Sequence, residues 1–203
     1  MKRVIAYIDG FNLYFGLREK GWKHLYWLNL YHLCERLLLQ DQQIVTVKYF
    51  TARVSFPEDK RLRQNAFLEA LETQKGIEIF FGKYMLHSRV CSQCGWVDKV
   101  PSEKMTDVNI AVEMVSDALQ DVFDTAILIS ADSDLVGAIM KIRQFCPNKR
   151  VVLAFPPARV SKELQQAAHA SFTLGHGVLK NSQFPNEIEK PGGFILRRPV
   201  NWQ

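Results

Sequence analysis

The sequence predicts an α/β domain of three layers, a mainly parallel sheet with helices on both faces. Apolar runs of strand length recur along the chain: RVIAYI from Arg3, IVTVKYFTARV from Ile44, IEIFF from Ile77, TAILIS from Thr125 and KRVVLAF from Lys149. Segments with helical spacing separate them, and strands that alternate with helices pair in parallel through right-handed crossovers. At 203 residues, 47% hydrophobic and 23% charged, the chain has the size and composition of one globular domain that needs no covalent staples.

The elements follow in order. The first strand ends on Asp9, and Gly10, Phe11 and Asn12 lead into a short helix stopped by Gly21. Leu30 to Leu39 reads as an apolar helix, and Ile44 to Val54 as a β-branched strand. Pro57 opens a helix with Ala66, Phe67, Ala70 and Leu71 on its inner face, and Gly76 stops it before the strand from Ile77. Ser102 to Asp121 reads as a long helix with Val108, Ala111, Met114, Val115, Ala118 and Leu119 facing inward. After the strand from Thr125, Leu135, Ile139, Ile142 and Phe145 mark one face of another helix. Pro156 and Pro157 break the last strand, and Ser161 to Ala168 is the final helix. Residues 1–174 are therefore expected to form the domain, and 175–203 a tail that wraps it through Phe184, Ile188, Phe194, Ile195 and Trp202, leaving Lys180, Lys190, Arg197 and Arg198 at the surface.

Asp9 cuts the opening apolar run far short of a membrane span, so a cytoplasmic protein with no membrane association is expected. With 26 basic against 21 acidic residues the net charge is +5 and permits a polyanionic partner. Of Cys34, Cys91, Cys94 and Cys146 only one pair has a metal or redox spacing, which argues against a disulfide framework.

The chemistry gathers where strands end. Asp132 and Asp134 fall between the strand from Thr125 and the next helix, on the rim where open α/β sheets bind ligands. Ser130 and Ser133 flank them, and one aspartate would suffice as a helix cap. Asp9 is delivered in the same way by the first strand. Asp107 opens the periodic part of the long helix and shares a face with Ala111 and Met114, an inward position that is costly unless paired, hydrogen-bonded or metal-bound. Lys104 is its candidate ion-pair partner, and Glu113 lies on the solvated side. Should the four acids converge, their repulsion calls for a hard divalent cation with oxygen ligands, Mg²⁺ or Mn²⁺, and hence for metal-assisted hydrolysis of a phosphodiester.

YIDGFNLYFG near the start, KMTDVNIAVEM in the middle, and LISADSDL and FPPARVSKEL later resemble the NYN domain, a branch of the PIN-like ribonucleases. The resemblance implies a Rossmann-like PIN fold and divalent-metal-dependent RNA cleavage through an attacking water. It implies metal binding by Asp9, Asp107, Asp132 and Asp134, with Asn12 as a neighbour and Ser130 contributing a hydroxyl. Ala131 stands where the family motif more often has glycine, and His169 where related sequences often carry an acid.

An endoribonuclease of this kind would hold its RNA backbone with basic residues such as Arg53, Lys60, Arg61 and Lys83, and stack bases on Phe11 or Tyr14. The competing class is a non-catalytic RNA-binding or regulatory module that retains the acids. A phosphohydrolase with a nucleophilic DxD after its first strand is disfavoured, because Gly10 and Phe11 follow Asp9. Between the third strand and the long helix, Cys91, Cys94 and Gly95 form a CxxCG knuckle that suits Zn²⁺, with His87 as a candidate third ligand. A closed site takes four ligands, so the last would come from elsewhere in the chain or from a second copy in a homo-oligomer.

Overall fold

The computed structural model describes residues 1–90 and 92–202, and gives the backbone alone for 84–87, 89 and 98–103. Strand β1 (Lys2–Asp9) runs into helix α1 (Gly10–Glu19), and α2 (Leu30–Glu35) leads to β2 (Gln42–Thr51). Helix α3 (Glu58–Glu72) precedes β3 (Ile77–Phe81) and the hairpin β4 (Lys83–Val90) and β5 (Val97–Lys104). Then come α4 (Thr106–Leu119), β6 (Thr125–Ile129), α5 (Val136–Phe145), β7 (Arg150–Phe155), α6 (Lys162–Ala167) and β8 (Ala170–Thr173). Helix α7 (His176–Lys180) and the short strands β9 (Glu187–Glu189) and β10 (Ile195–Arg197) close the fold.

Six strands pair in parallel in the order β3-β2-β1-β6-β7-β8. The chain moves outward from β1 to β3, then returns to the other side of β1 as β6. That reversal opens a crevice at the C-terminal ends of β1 and β6, the usual ligand position in such sheets. Successive β1 side chains point to opposite faces. Val4, Ala6 and Ile8 join a core under α1, α2 and α3, while Ile5 and Tyr7 join a second core under α4, α5 and α6. Both faces of the strand are covered, which is why its sequence is continuously apolar.

The structure departs from the sequence reading in several places. Residues 97–104 pair with β4, so α4 starts at Thr106, and the segment around the cysteine pair is a hairpin. The inward stripe of α4 is rotated: Ile110, Met114, Asp117 and Ala118 are buried, while Val108 and Leu119 are exposed. Polar groups on the sheet cause this rotation. Lys48 of β2 reaches Glu113 at 2.6 Å and Asp117 at 2.7 Å, and the Tyr7 hydroxyl donates to Asp117 at 2.6 Å. Glu113 is thus an ion-pair partner rather than a solvated acid. Helix α2 ends at Glu35, four residues early, as the backbone turns after Arg36. Phe145 is exposed at the end of α5. In the C-terminal segment Phe184, Leu196 and Trp202 are buried in the first core, whereas Phe194 and Ile195 are exposed. Of its cations, Lys190 bonds Glu69 at 3.0 Å, and Arg198 donates to the carbonyls of His24 and Trp202. No helix among the described residues is long and apolar enough to cross a membrane.

At the opposite end of the sheet from the crevice, the Asp124 carboxylate accepts the Arg3 backbone N–H at 2.7 Å and its guanidinium at 2.8 Å. The hydrogen bonds from Arg3 hold the Asp124 carboxyl down to about 2. A depressed carboxyl contributes stability above its unfolded value of about 3.9 and loses it as the pH falls through the folded value. Asp124→Asn should therefore lower the Tm at neutral pH and flatten its decline between about pH 4 and pH 2. Thermal melts across that window test this, and parallel profiles for the two proteins would refute it.

Candidate functional site

Asp9 is the last residue of β1 and the N-cap of α1, with a side chain that accepts the backbone N–H of Asn12 at 2.9 Å. Its second oxygen accepts from the Asn12 amide at 3.0 Å and from the Ser130 hydroxyl at 2.9 Å. Asp9 is 3% exposed. Burial raises its pKa, and the charge of Asp132 pushes the same way, while the hydrogen bonds from Asn12 and Ser130 oppose them. No lysine, arginine or histidine among the described residues forms an ion pair with it.

Ser130 follows β6 and links the two strands. Its hydroxyl donates to Asp9 and accepts the N–H of Asp132 at 3.1 Å. Asp132 then caps a single 3₁₀ turn, Ser133–Leu135, by accepting the Asp134 N–H at 3.0 Å. The Asn12 carbonyl accepts from the Ala131 N–H at 3.3 Å, which ties the start of α1 to the loop after β6. Asp9, Asn12, Ser130 and Asp132 thus form one hydrogen-bonded chain, with the exposed Asp134 at its end. Asp107 lies in the first turn of α4, a helix that packs against the Ser133–Leu135 turn, and is half-buried.

Sequence reasoning missed Arg159, which follows the Pro156–Pro157 break. Its guanidinium lies 3.5 Å from the Asn12 carbonyl oxygen, bonds Glu19 at 2.5 Å, and sits over the Phe15 ring at 5.5 Å. The Nε is buried and has no hydrogen-bond partner. The proline pair read only as a strand terminator, but it also aims this cation at the crevice. His169 plays no part there: its Nδ1 accepts the Val151 N–H at 3.0 Å, at the far end of β7.

Among the basic residues expected to hold a backbone, Lys60 lines a cavity beside Gly10, Arg61 pairs with Glu58 at 3.0 Å, and the Arg53 guanidinium covers the Phe81 ring at 4.4 Å. Lys83 is exposed at the start of β4. The proposed zinc ligands are not brought together by any described contact. Cys91 lies outside the described residues, as does the His87 side chain, and Cys94 is an exposed free thiol.

The donor chemistry around Asp9 and Asp132 fits a hard divalent cation, since every donor is oxygen. A buried carboxylate without a paired cation is the charge imbalance that such an ion would neutralise. As positioned, no three His, Cys, Asp or Glu side chains among the described residues are arranged as a metal site.

Gly10 sets how closely α1 approaches the sheet. A Cβ there would lie 2.6 Å from the Oη of Tyr49, a ring buried between α1 and α3. Gly10→Ala is expected to destabilise the protein by about 1–3 kcal/mol through overpacking. Urea denaturation measures it, and an unchanged midpoint would show that Tyr49 can yield.

The comparisons agree with this architecture. A solved structure of a protein of unknown function, VPA0982 from Vibrio parahaemolyticus RIMD 2210633, superposes with a TM-score of 0.57 at 22% identity, covering 86% of this chain and 94% of that one. That likeness shows the fold alone. A relative in Pseudomonas putida (strain DSM 28022 / S16), 6-hydroxy-3-succinoylpyridine 3-monooxygenase HspA, is 26% identical over 98% of this chain and 75% of its own length. The family model for the NYN domain matches residues 3–175, from the first strand through β8, and the chain belongs to the NYN domain family.

Proposed function

We propose that the protein is a divalent-metal-dependent nuclease, an endoribonuclease that hydrolyses RNA phosphodiester bonds at the crevice between β1 and β6. The observation that carries this reading is Asp9, a buried carboxylate with a raised pKa, coupled through Ser130 to Asp132 and without a paired cation among the described residues. Membership in a family of PIN-like nucleases supports it.

Asp9, Asp132, Asp134 and Asp107 would hold Mg²⁺ or Mn²⁺. A bound ion of this kind polarises a phosphoryl oxygen and lowers the pKa of coordinated water. The chain's own residues do the rest. Asn12 and Ser130 fix the Asp9 carboxylate, and the half-buried Arg159 offers its guanidinium to a phosphate near Asn12. RNA is the proposed partner, and the cytoplasm the proposed compartment.

The test is incubation of purified protein with structured and unstructured RNAs, with Mn²⁺ or with EDTA. Internal cleavage that needs the metal is the expected result. RNA binding without cleavage under any divalent ion would favour the non-catalytic module, a reading helped by the three hydrogen bonds that the Asp9 carboxylate already accepts. The pyridine substrate in the relative's name belongs in the same assay as a control, because turnover of that ring without RNA cleavage would replace the nuclease reading.

A further inference from the structure

Between α1 and α3, over the C-terminal end of β2, lies a cavity of about 230 Å³. Phe11, Tyr14 and Phe15 of α1, Tyr26, Phe67 of α3 and Trp202 line it. Its volume falls below the roughly 300–1,000 Å³ of sites for drug-sized ligands, which leaves room for a single ring system and one substituent. Aromatic walls offer flat faces for a planar ring to stack on.

The charge at its mouth is one-sided. Arg18, Lys23, Lys60 and Arg63 line the cavity and no acidic residue does. Arg63 pairs with Asp59 at 2.8 Å, and among the described residues the other three form no ion pair. Such a mouth suits a ligand that joins a planar ring to an anion.

The cavity also adjoins the acidic crevice. Gly10 and Tyr49 form part of its wall; Gly10 directly follows Asp9, and a Cβ on Gly10 would lie 2.6 Å from the Tyr49 Oη. Phe15 lies between the two regions, with Arg18 at 6.0 Å on the cavity side and Arg159 at 5.5 Å from its ring. A chain with a phosphodiester at Asp9 would therefore have a neighbouring residue within reach of the aromatic walls.

We propose that this cavity is a nucleotide subsite: it stacks one nucleobase, and its cations hold the phosphate attached to that nucleotide. The assignment to the nucleotide beside the cleaved bond rests on the nuclease reading, whereas binding of the nucleotide itself does not. A mononucleotide is thus the probe that separates the two.

Uridine and adenosine 5′-monophosphates would be titrated into the full chain carrying Asp132→Asn, in EDTA, and followed by tryptophan fluorescence and calorimetry. Saturable binding is expected. Tyr14→Ala and Lys60→Ala, at a half-exposed and an exposed position, should each weaken it by roughly tenfold, the scale of one stacking or one phosphate contact. Absence of saturable binding, or affinity unchanged in both variants, would overturn the proposal. So would tighter binding of a small aromatic carboxylate such as nicotinate, which would mark the cavity as a site for aromatic acids. If nucleotides fail to bind while the wild-type protein cleaves RNA, the subsite falls and the nuclease reading stands. If they bind as expected while no RNA is cleaved, the reverse holds.

Discussion

Asp132→Asn is expected to reduce the rate of Mn²⁺-dependent RNA cleavage by roughly a hundredfold or more, the scale of losing one preorganised electrostatic group at a reacting centre. The substitution isolates charge from structure. Asp132 caps the turn after β6 through a single carboxylate oxygen that accepts the Asp134 N–H, and an asparagine carbonyl can accept the same bond. Its backbone N–H bond to Ser130 is untouched. The melting temperature should therefore stay near that of the parent while activity collapses. Comparable rates for the two proteins in a labelled-RNA assay would remove Asp132 from the site. Asp9→Asn is a less clean version of the same test, because the Asp9 carboxylate receives three hydrogen bonds and an amide can accept them only in part.

The largest stability effect should come from Lys48. Its ammonium, with a side chain 8% exposed, is held between Glu113 and Asp117, and the Tyr7 hydroxyl completes the group. Lys48→Met leaves two carboxylates facing an apolar side chain. Breaking a buried pair by removing one partner costs about 3–5 kcal/mol. Replacing all three charged groups, with Lys48→Met, Glu113→Gln and Asp117→Asn together, should recover most of that loss. A thermal or urea series over the single and triple variants measures it, and a Lys48→Met protein as stable as the parent would show the network to be idle. The sign with pH follows from the pair. Burial alone would lower the Lys48 pKa, but the bonds from Asp117 and Glu113 raise it on balance. Its contribution is thus fully present below the unfolded lysine value, about 10.4, and is lost as the pH rises through the higher folded value.

This network also shows where sequence reasoning stops. The order of strands and helices was legible because both sheet faces are covered, so that runs such as VIAYI and AILI stand out without alternation. The acid-bearing ends of β1 and β6 were legible for the same reason, since Asp9 directly ends one apolar run and Asp132 follows the other by three residues. The inward stripe of α4 was misplaced by about one position because its polar members, Glu113 and Asp117, face inward to meet Lys48 from a strand 65 and 69 residues away. No local pattern carries that partnership. The hairpin of β4 and β5 was hidden because its two strands pair with each other as a separate two-stranded sheet, outside the alternation of strand and helix that marks the main sheet. Arg159 escaped notice because its importance depends on the loop after β7 returning over Asn12, a contact across 147 residues. The cavity was half-visible: Phe11, Tyr14 and Lys60 were singled out as separate contacts, and only the approach of α1 to α3 makes them one surface.

The bond from Ser130 to Asp9 spans 121 residues of chain. During synthesis, a nascent protein that has completed β1, β2 and β3 already displays Asp9 and Asn12, yet Ser130 and Asp132 do not exist until β6 has been made. Domains form as units while the chain emerges, so the crevice cannot close before the residues through Asp132 have left the ribosome. A chain built this way cannot join Asp9 to Asp132 through the Ser130 hydroxyl until the strand that delivers them has emerged, so whatever the crevice binds meets the completed site late in translation.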